Sequence, residues 1–351
     1  MHNLRYLLFP FSMLYAAITM FRNWLYKVRL KRSFKFSIPI INVGNLSVGG
    51  TGKTPHTEYL IRLLKDTHQL ATLSRGYGRK EFGFKIADDN STSRQIGDEP
   101  LQFYKKYGKG ITVAVEADRV KGVMDICYQK EDTDLVLLDD AYQHRSIQPG
   151  FNILLTDYSR PFFRDYIMPV GDLRELRSGK KRSDLIIVTK CPDFETIEKS
   201  SLIKKIKPLD GQKVFFSKVV YDPILKPLNQ SHSLALASKN IILVTGIAKS
   251  LPLLNYLKKE YNVLEHCKFN DHYQFKEKDI TDIHNLLVKF VDLNPIIVTT
   301  EKDAMRLVGS AFEKETNHKP WYYQGITIEI DDKEGFDKKI LKYVQENRRD
   351  Y

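Results

Sequence analysis

Ser47-Val48-Gly49-Gly50-Thr51-Gly52-Lys53-Thr54-Pro55 follows a short, mostly β-branched run at residues 40–43 and precedes a helix-like segment at 56–64. Strand, glycine-rich turn, Gly-Lys-Thr and helix, in that order, make a phosphate-binding P-loop. Glycines let successive N–H groups converge on phosphate oxygens without a Cβ in the way. The helix N-terminus adds a dipole that favours anions. Ser47 through Thr54 are therefore the candidate nucleotide-binding set, with Lys53 on the β- and γ-phosphates and the Thr54 hydroxyl on Mg²⁺. Ser47 stands where the consensus has its first glycine.

Around this loop the chain alternates strand-like and helical stretches. Strands are expected at 40–43, 70–73, 112–115, 135–138, 152–155 and 185–189, and helices at 57–65, 100–107, 119–129 and 194–205. That rhythm predicts a doubly wound α/β domain on a parallel sheet, here residues 36–212. A strand at 213–221 runs into Asp222-Pro223 and Lys226-Pro227-Leu228-Asn229, a proline-marked boundary that makes 213–224 a linker. Residues 225–320 repeat the rhythm as a smaller α/β domain, with strands at 241–245 and 296–300 and helices at 251–260 and 279–292. One late strand at 322–330 is expected to pair with 213–221, so residues 321–351 form a return linker and a terminal helix at 336–346.

Residues 6–21 carry no charge, and Arg22, Lys27, Arg29, Lys31, Arg32 and Lys35 follow, interleaved with Trp24, Leu25, Tyr26 and Val28. Sixteen helical residues span about 24 Å, short of the roughly 30 Å hydrocarbon core. Pro10 is expected to end or kink a helix there. Residues 1–35 thus read as an interfacial helix and basic segment on an acidic leaflet. A helix packed on the protein's own core remains open, because periodicity cannot separate the two.

With 351 residues, 42 % hydrophobic and 28 % charged, the chain can bury two cores. Three cysteines far apart in sequence indicate a reducing compartment and no zinc site. The net charge of +12 favours anionic partners. The aromatic-interleaved basic cluster comes with no recognition helix or RNA motif, so nucleic acid is not expected as a partner.

Leu135-Val136-Leu137-Leu138-Asp139-Asp140 is a buried strand ending in two carboxylates, on the sheet edge where parallel sheets bind ligands. Asp139 and Asp140 are candidate metal ligands, and Gln143 in the sequel Ala141-Tyr142-Gln143-His144-Arg145 is a candidate nucleotide contact. Arg75-Gly76-Tyr77-Gly78-Arg79 offers arginines to phosphate or sugar oxygens, or is an exposed basic loop. In Gly97-Asp98-Glu99-Pro100 the acids read first as helix-dipole partners. Gly171-Asp172-Leu173-Arg174-Glu175 and Asn270-Asp271-His272-Tyr273 add charged loops. Thr189-Lys190 ends a strand and suits a base-covering lysine.

Together, in this order, these motifs resemble the tetraacyldisaccharide 4′-kinase family, the lipid A 4′-kinases of Gram-negative bacteria. The matching runs also include Val43-Gly44-Asn45-Leu46 and Thr300-Glu301-Lys302-Asp303-Ala304. Ala141-Tyr142, Asp172 and Leu176 depart from the residues commoner in the family. The resemblance implies two α/β/α domains joined by a two-stranded linker, with the active site between them. It also implies transfer of the ATP γ-phosphate to the 4′-hydroxyl of a tetraacyl disaccharide 1-phosphate at the cytoplasmic leaflet of the inner membrane. By motif match Asp98 becomes the catalytic base, assisted by His272. Lys53 takes the phosphate role, and Thr54, Asp139, Asp140 and Glu175 the Mg²⁺ role. Arg75, Tyr77 and Arg174 become substrate contacts. A membrane-peripheral P-loop switch or metallochaperone NTPase is the alternative.

Overall fold

The computed structural model describes residues 5–228, 238–308, 310 and 312–347. The order of elements is α1 (Phe9–Lys27), β1 (Ile40–Asn45), α2 (Lys53–Leu64), β2 (Leu70–Ser74), β3 (Lys85–Ile86), α3 (Ser93–Ile96), α4 (Asp98–Tyr107), β4 (Thr112–Val115), α5 (Arg119–Gln129), β5 (Leu135–Asp139), β6 (Phe151–Asp157), β7 (Leu185–Thr189), α6 (Lys199–Ile206) and β8 (Lys213–Tyr221). There follow β9 (Lys226–Pro227), β10 (Asn240–Thr245), α7 (Leu251–Glu260), β11 (Asn262–Lys268), α8 (Glu277–Lys289), β12 (Ile296–Thr300), α9 (Glu301–Leu307), α10 (Glu313–Asn317), β13 (Trp321–Gln324), β14 (Ile326–Ile330) and α11 (Lys333–Glu346).

Strands in the order β14-β8-β7-β6-β1-β5-β2-β4-β3 form one sheet, parallel from β8 to β4 with an antiparallel strand at each edge. β1 lies between β5 and β6, where the chain leaves in both directions, so the crevice at its C-terminal end is a topological switch point. Successive side chains go to opposite faces. Ile41, Val43 and Leu137 meet Leu60, Ile61 and Leu64 of α2, while Ile40, Val136 and Leu138 meet Val123 and Ile126 of α5. Both faces are covered, which is why these strands are nearly all apolar.

The second sheet runs β11-β10-β12-β13-β9. Leu253 and Leu257 of α7 pack on one face, Ile280 and Ile283 of α8 on the other. β11 was not expected, because Asn262-Val263-Leu264-Glu265-His266-Cys267-Lys268 is an edge strand with half its side chains in water and no apolar run. α9 was not expected either. It is short and starts where Thr300 Oγ1 accepts the Asp303 N–H at 3.0 Å.

Four expectations are corrected. The late strand at 322–330 is two strands, β13 in the second sheet and β14 paired antiparallel with β8, changing sheets at Gly325. Helix starts at 57 and 100 move to Lys53 and Asp98, and Pro10 neither ends nor kinks α1, because Pro10, Pro55 and Pro100 all sit in first turns whose N–H groups have no helical acceptor. The helix at 194–205 shrinks to α6 behind a single 3₁₀ turn. Asn229 of the boundary stretch lies outside the described residues, as do residues 1–4 and 348–351.

α1 reverses the usual amphipathic arrangement. Ser12, Tyr15 and Asn23 face the protein. The Ser12 hydroxyl donates to the Ile167 carbonyl at 3.1 Å, and the Tyr15 hydroxyl to the Arg174 carbonyl at 3.1 Å. Its apolar stripe, Leu7, Phe11, Leu14, Ile18 and Phe21, is 58–75 % exposed. The core-packed alternative is therefore excluded for this stripe. Among the described residues no helix is long and apolar enough to cross a membrane.

Candidate active site

The P-loop is braced on three sides. Asn45, last in β1, donates its amide to Thr51 Oγ1 at 2.7 Å, and Thr189 at the end of β7 donates to the Thr51 carbonyl at 2.8 Å. Lys190 Nζ reaches the Gly50 carbonyl. Gly52 caps α2 with φ +88°, a left-handed conformation that glycine adopts without strain. Beneath it, buried His56 bonds the Gly52 carbonyl through Nδ1 at 2.6 Å and Ser217 Oγ of β8 through Nε2 at 2.9 Å. Burial lowers the His56 pKa to about 4, so the ring is neutral, with its proton on Nδ1 toward the carbonyl. His56 carries no motif, and sequence reasoning missed it.

Across the switch point, Asp139 and Asp140 end β5. Lys53 Nζ lies 3.6 Å from Asp140 Oδ2, and Arg174 grips both Asp140 oxygens, at 2.7 and 3.2 Å. Burial would raise the Asp140 pKa, but Lys53 and Arg174 hold it down to about 2. Asp139 behaves oppositely: burial and the charge of Glu99 push it well above the usual carboxylate range. Its Oδ1 is buried with no hydrogen-bond partner. An excess of negative charge around an unpartnered carboxylate oxygen is the environment a cation relieves. Mg²⁺ therefore fits here. The described residues hold no group of three or more His, Cys, Asp or Glu side chains placed to hold a metal ion.

Glu175 is not brought to this pair. It accepts from Arg182 at 2.7 Å, from the Gln143 amide at 3.0 Å and from Asn23 of α1 at 3.4 Å. The metal role expected of Glu175 conflicts with these partners, which tie α1 to the loop after β5. Gln143 also donates to the Asn45 carbonyl at 2.9 Å, so its amide nitrogen is spent on protein, while Oε1 is buried and unpartnered. Arg174, expected on substrate, is held by Asp140 and Asn45.

The other wall comes from both domains. Asp98 opens α4 after Gly97, whose φ is +96° and whose added Cβ would lie 3.0 Å from the Tyr77 carbonyl oxygen. Buried Arg306 of α9 donates Nε to Asp98 Oδ2 at 2.8 Å, and His272 Nδ1 lies 3.7 Å from the same oxygen. Burial alone would raise the Asp98 pKa, but His272 and Arg306 outweigh it, and the carboxyl is held below its ordinary value. Lys302 Nζ contacts His272 Nε2 at 3.2 Å and Glu99 Oε1 at 3.1 Å. Arg306 Nη2 also points at His272 Nδ1, at 3.5 Å, so donor-only cations approach both ring nitrogens. Tyr77 packs edge-on against His272, ring centres 4.9 Å apart. Arg75 is exposed and adds positive charge near Arg119 and His144, whereas Arg79 folds back onto the Gly83 carbonyl.

Asp98, His272 and Tyr77 thus converge, and Lys53, Asp139 and Asp140 form a second group joined to them through Glu99. Lys302 lies in the matching run at 300–304 without an assigned role, and Arg306 lies two residues beyond that run and was missed. The signal that could have found them is polar residues just past a β-branched strand end, the rule that found Asp139.

Residues 4–345 match the family described as tetraacyldisaccharide-1-P 4'-kinase. The chain is 43 % identical over 350 residues to the tetraacyldisaccharide 4'-kinase of Flavobacterium johnsoniae, covering 99 % of each. It is 41 % identical over 359 residues to that of Bacteroides thetaiotaomicron, covering 97 % of this chain and 94 % of the relative. Among solved structures, the "apo" form LpxK from Aquifex aeolicus in complex with ATP superposes with a TM-score of 0.76 at 28 % identity, covering 97 % of this chain and 99 % of that one. On the length and depth of these matches, the chain belongs to the tetraacyldisaccharide-1-P 4'-kinase family.

Proposed function

We propose that this kinase transfers the γ-phosphate of ATP to the 4′-hydroxyl of a tetraacyl disaccharide 1-phosphate, forming lipid IVA. The observation that carries the reading is the meeting of Asp98 and His272, from separate domains, with Glu99, the neighbour of Asp98, and Lys53 of the P-loop both acting on Asp139. Phosphoryl transfer asks for positioning and charge neutralisation more than for covalent chemistry. Lys53 supplies positive charge at the β- and γ-phosphates. Thr54 and Asp139 would hold Mg²⁺, which when bound neutralises charge on the same phosphates. Asp140 serves through Lys53 and Arg174, pairing with both.

Asp98 accepts the proton of the attacking hydroxyl. Its low pKa suits a loose transition state, in which the hydroxyl proton leaves late and the carboxylate mainly aims the oxygen. Arg306 holds Asp98 in place, and His272 stands beside the same carboxylate oxygen as the assisting group. Arg75 and Tyr77, exposed beside this group, face the acceptor sugar. A site built from two domains is complete only when they meet, and closing it excludes water as a competing acceptor.

α1 lies in the membrane interface with its exposed stripe in the acyl region, at the cytoplasmic leaflet where ATP is available. A polar face already bonded to the protein and an apolar face left in water support that placement.

Labelled γ-phosphate transfer tests the function. With tetraacyl disaccharide 1-phosphate in detergent, label should enter the lipid far faster than inorganic phosphate appears. Release of inorganic phosphate alone, stimulated by a protein partner, would instead establish the NTPase switch.

A further inference from the structure

His56 closes the first turn of α2 and is only 4 % exposed. An apolar side chain would bury there at less cost, because a ring nitrogen taken out of water must find a partner. Both nitrogens of His56 have one. A carbonyl oxygen only accepts, so the bond to Gly52 fixes the proton on Nδ1, and Nε2 then accepts from the buried Ser217 hydroxyl. Burial, and then the charge of Lys190, keep the ring neutral and in this one tautomer.

The Gly52 carbonyl also accepts the first helical bond of α2, from the His56 N–H, but at 3.3 Å against 2.6 Å for the ring. The ring is its closer partner, and the direction of this carbonyl has a consequence for the loop. The Gly52 C=O and the Lys53 N–H belong to one planar trans peptide and point opposite ways. Turning the oxygen down onto His56 turns the N–H up, to the side on which a P-loop takes phosphate. Gly52, at φ +88° and without a Cβ, restrains this peptide less than any other residue would, so the ring bond selects its orientation. A hydrogen bond on the oxygen also polarises the peptide and strengthens its N–H as a donor.

Ser217 anchors the ring from the far side. It lies in β8 opposite Ile330 of β14, and its carbonyl accepts the Cys191 N–H at 2.9 Å. The peptide is thus referenced to the large sheet rather than to another loop.

We propose that Ser217 and His56 are a positioning pair for nucleotide binding, holding the Gly52–Lys53 peptide so that the Lys53 N–H meets the β-phosphate of ATP. The inference rests on the reading of the loop as the ATP site. Both side chains act through the peptide and not on the nucleotide itself.

The test is calorimetric titration of the whole chain with ADP, which carries the β-phosphate and binds without the lipid. His56→Phe fills the same space without a donor, and His56→Asn returns an amide donor where Nδ1 stood. Ser217→Ala removes only the outer hydroxyl. Loss of one donor to a charged phosphate oxygen should raise the ADP Kd about tenfold in His56→Phe, with recovery to within about threefold of the parent in His56→Asn. In Ser217→Ala the rise should be about threefold. KM for the disaccharide at saturating ATP should stay within about twofold in all three, a split that a general loss of packing would not produce. Parent-like ADP affinity in His56→Phe, or equal losses in His56→Phe and His56→Asn, overturns the assignment. Where His56→Phe does not fold, Ser217→Ala decides alone, and unchanged ADP affinity in it overturns the pair. A parent chain that binds no ADP would instead refute the ATP site itself.

Discussion

At the scale of single residues, the site is a set of opposed electrostatic choices. Asp98 and Asp140 are held ionised by cations, while Asp139 is left short of positive charge. Replacing Asp98 by Ala removes the acceptor for the hydroxyl proton but leaves the P-loop braces untouched. Turnover should fall by about two to four orders of magnitude with nearly unchanged ATP affinity, by single-turnover kinetics and nucleotide titration. Lost ATP affinity with normal turnover would reassign Asp98. His56 gives a prediction in pH. The unfolded ring titrates near 6.5 and the folded one near 4, so between these values only the unfolded state takes up the proton. Stability is full above pH 6.5 and falls as pH drops toward 4, by up to about 3 kcal/mol. In His56→Gln, denaturant midpoints measured at pH 7 and 4.5 should lie closer together than in the parent. The P-loop, Asp139 and Asp140 were legible because strand-end chemistry is written in consecutive residues. From its neighbours alone Asp98 was legible only as a helix-dipole partner, and its role as base came through the family resemblance, since Arg306, which holds it, lies 208 positions away.

At the scale of elements, regular periodicity was easy to read and punctuation was not. β7, β8 and β12 lie where their apolar runs end, and α5 and α7 match their patterns to the residue. Prolines misplaced helix starts, because the rule that bars them from helix interiors also favours them in the first turn. Edge strand β11 escaped notice because half its side chains face water. α1 could not be decided from its sequence, since the same stripe serves a core or a membrane; only the polar bonds on its other face distinguish them. Deleting residues 1–27 would also remove the Arg22 and Asn23 contacts to Gln143 and Glu175, confounding anchoring with site geometry. Leu14→Ser with Ile18→Ser leaves those contacts intact. It should weaken vesicle binding by about tenfold or more while kcat in detergent changes less than twofold.

At the scale of the molecule, the two sheets are joined by a half-buried charge cluster. Lys106 of α4 lies 2.7 Å from Glu58 of α2 and 2.8 Å from Glu301 of α9, and Gln102 donates to both acids. Lys106→Met would leave two largely buried carboxylates facing each other. Discounted for the water that Lys106 still meets, the cost is about 2 to 3 kcal/mol, or a melting temperature lower by about 3 to 4 °C. Scanning calorimetry measures this, and an unchanged midpoint would mean that the cluster does not join the domains. No local pattern encodes such a cluster, because its members come from three helices far apart in sequence.

The hairpin of β8 and β14 has the whole second domain as its turn, with the Asp222 N–H bonded to the Gly325 carbonyl at 2.9 Å where the chain leaves and returns. This fixes an order of assembly on the ribosome. Residues 222–325 emerge as one uninterrupted block and can collapse on their own contacts. The nucleotide-binding domain cannot finish until β14 and α11 appear. β14 must cover the edge of β8, Phe336 must meet Phe215, and the Tyr343 hydroxyl must bond the main chain of Ile40. A chain stopped at Gly325 would keep every P-loop residue and still expose an unpaired strand, the surface from which aggregation begins. The earlier-made half of the ATP site therefore depends on residues made only after the whole second domain.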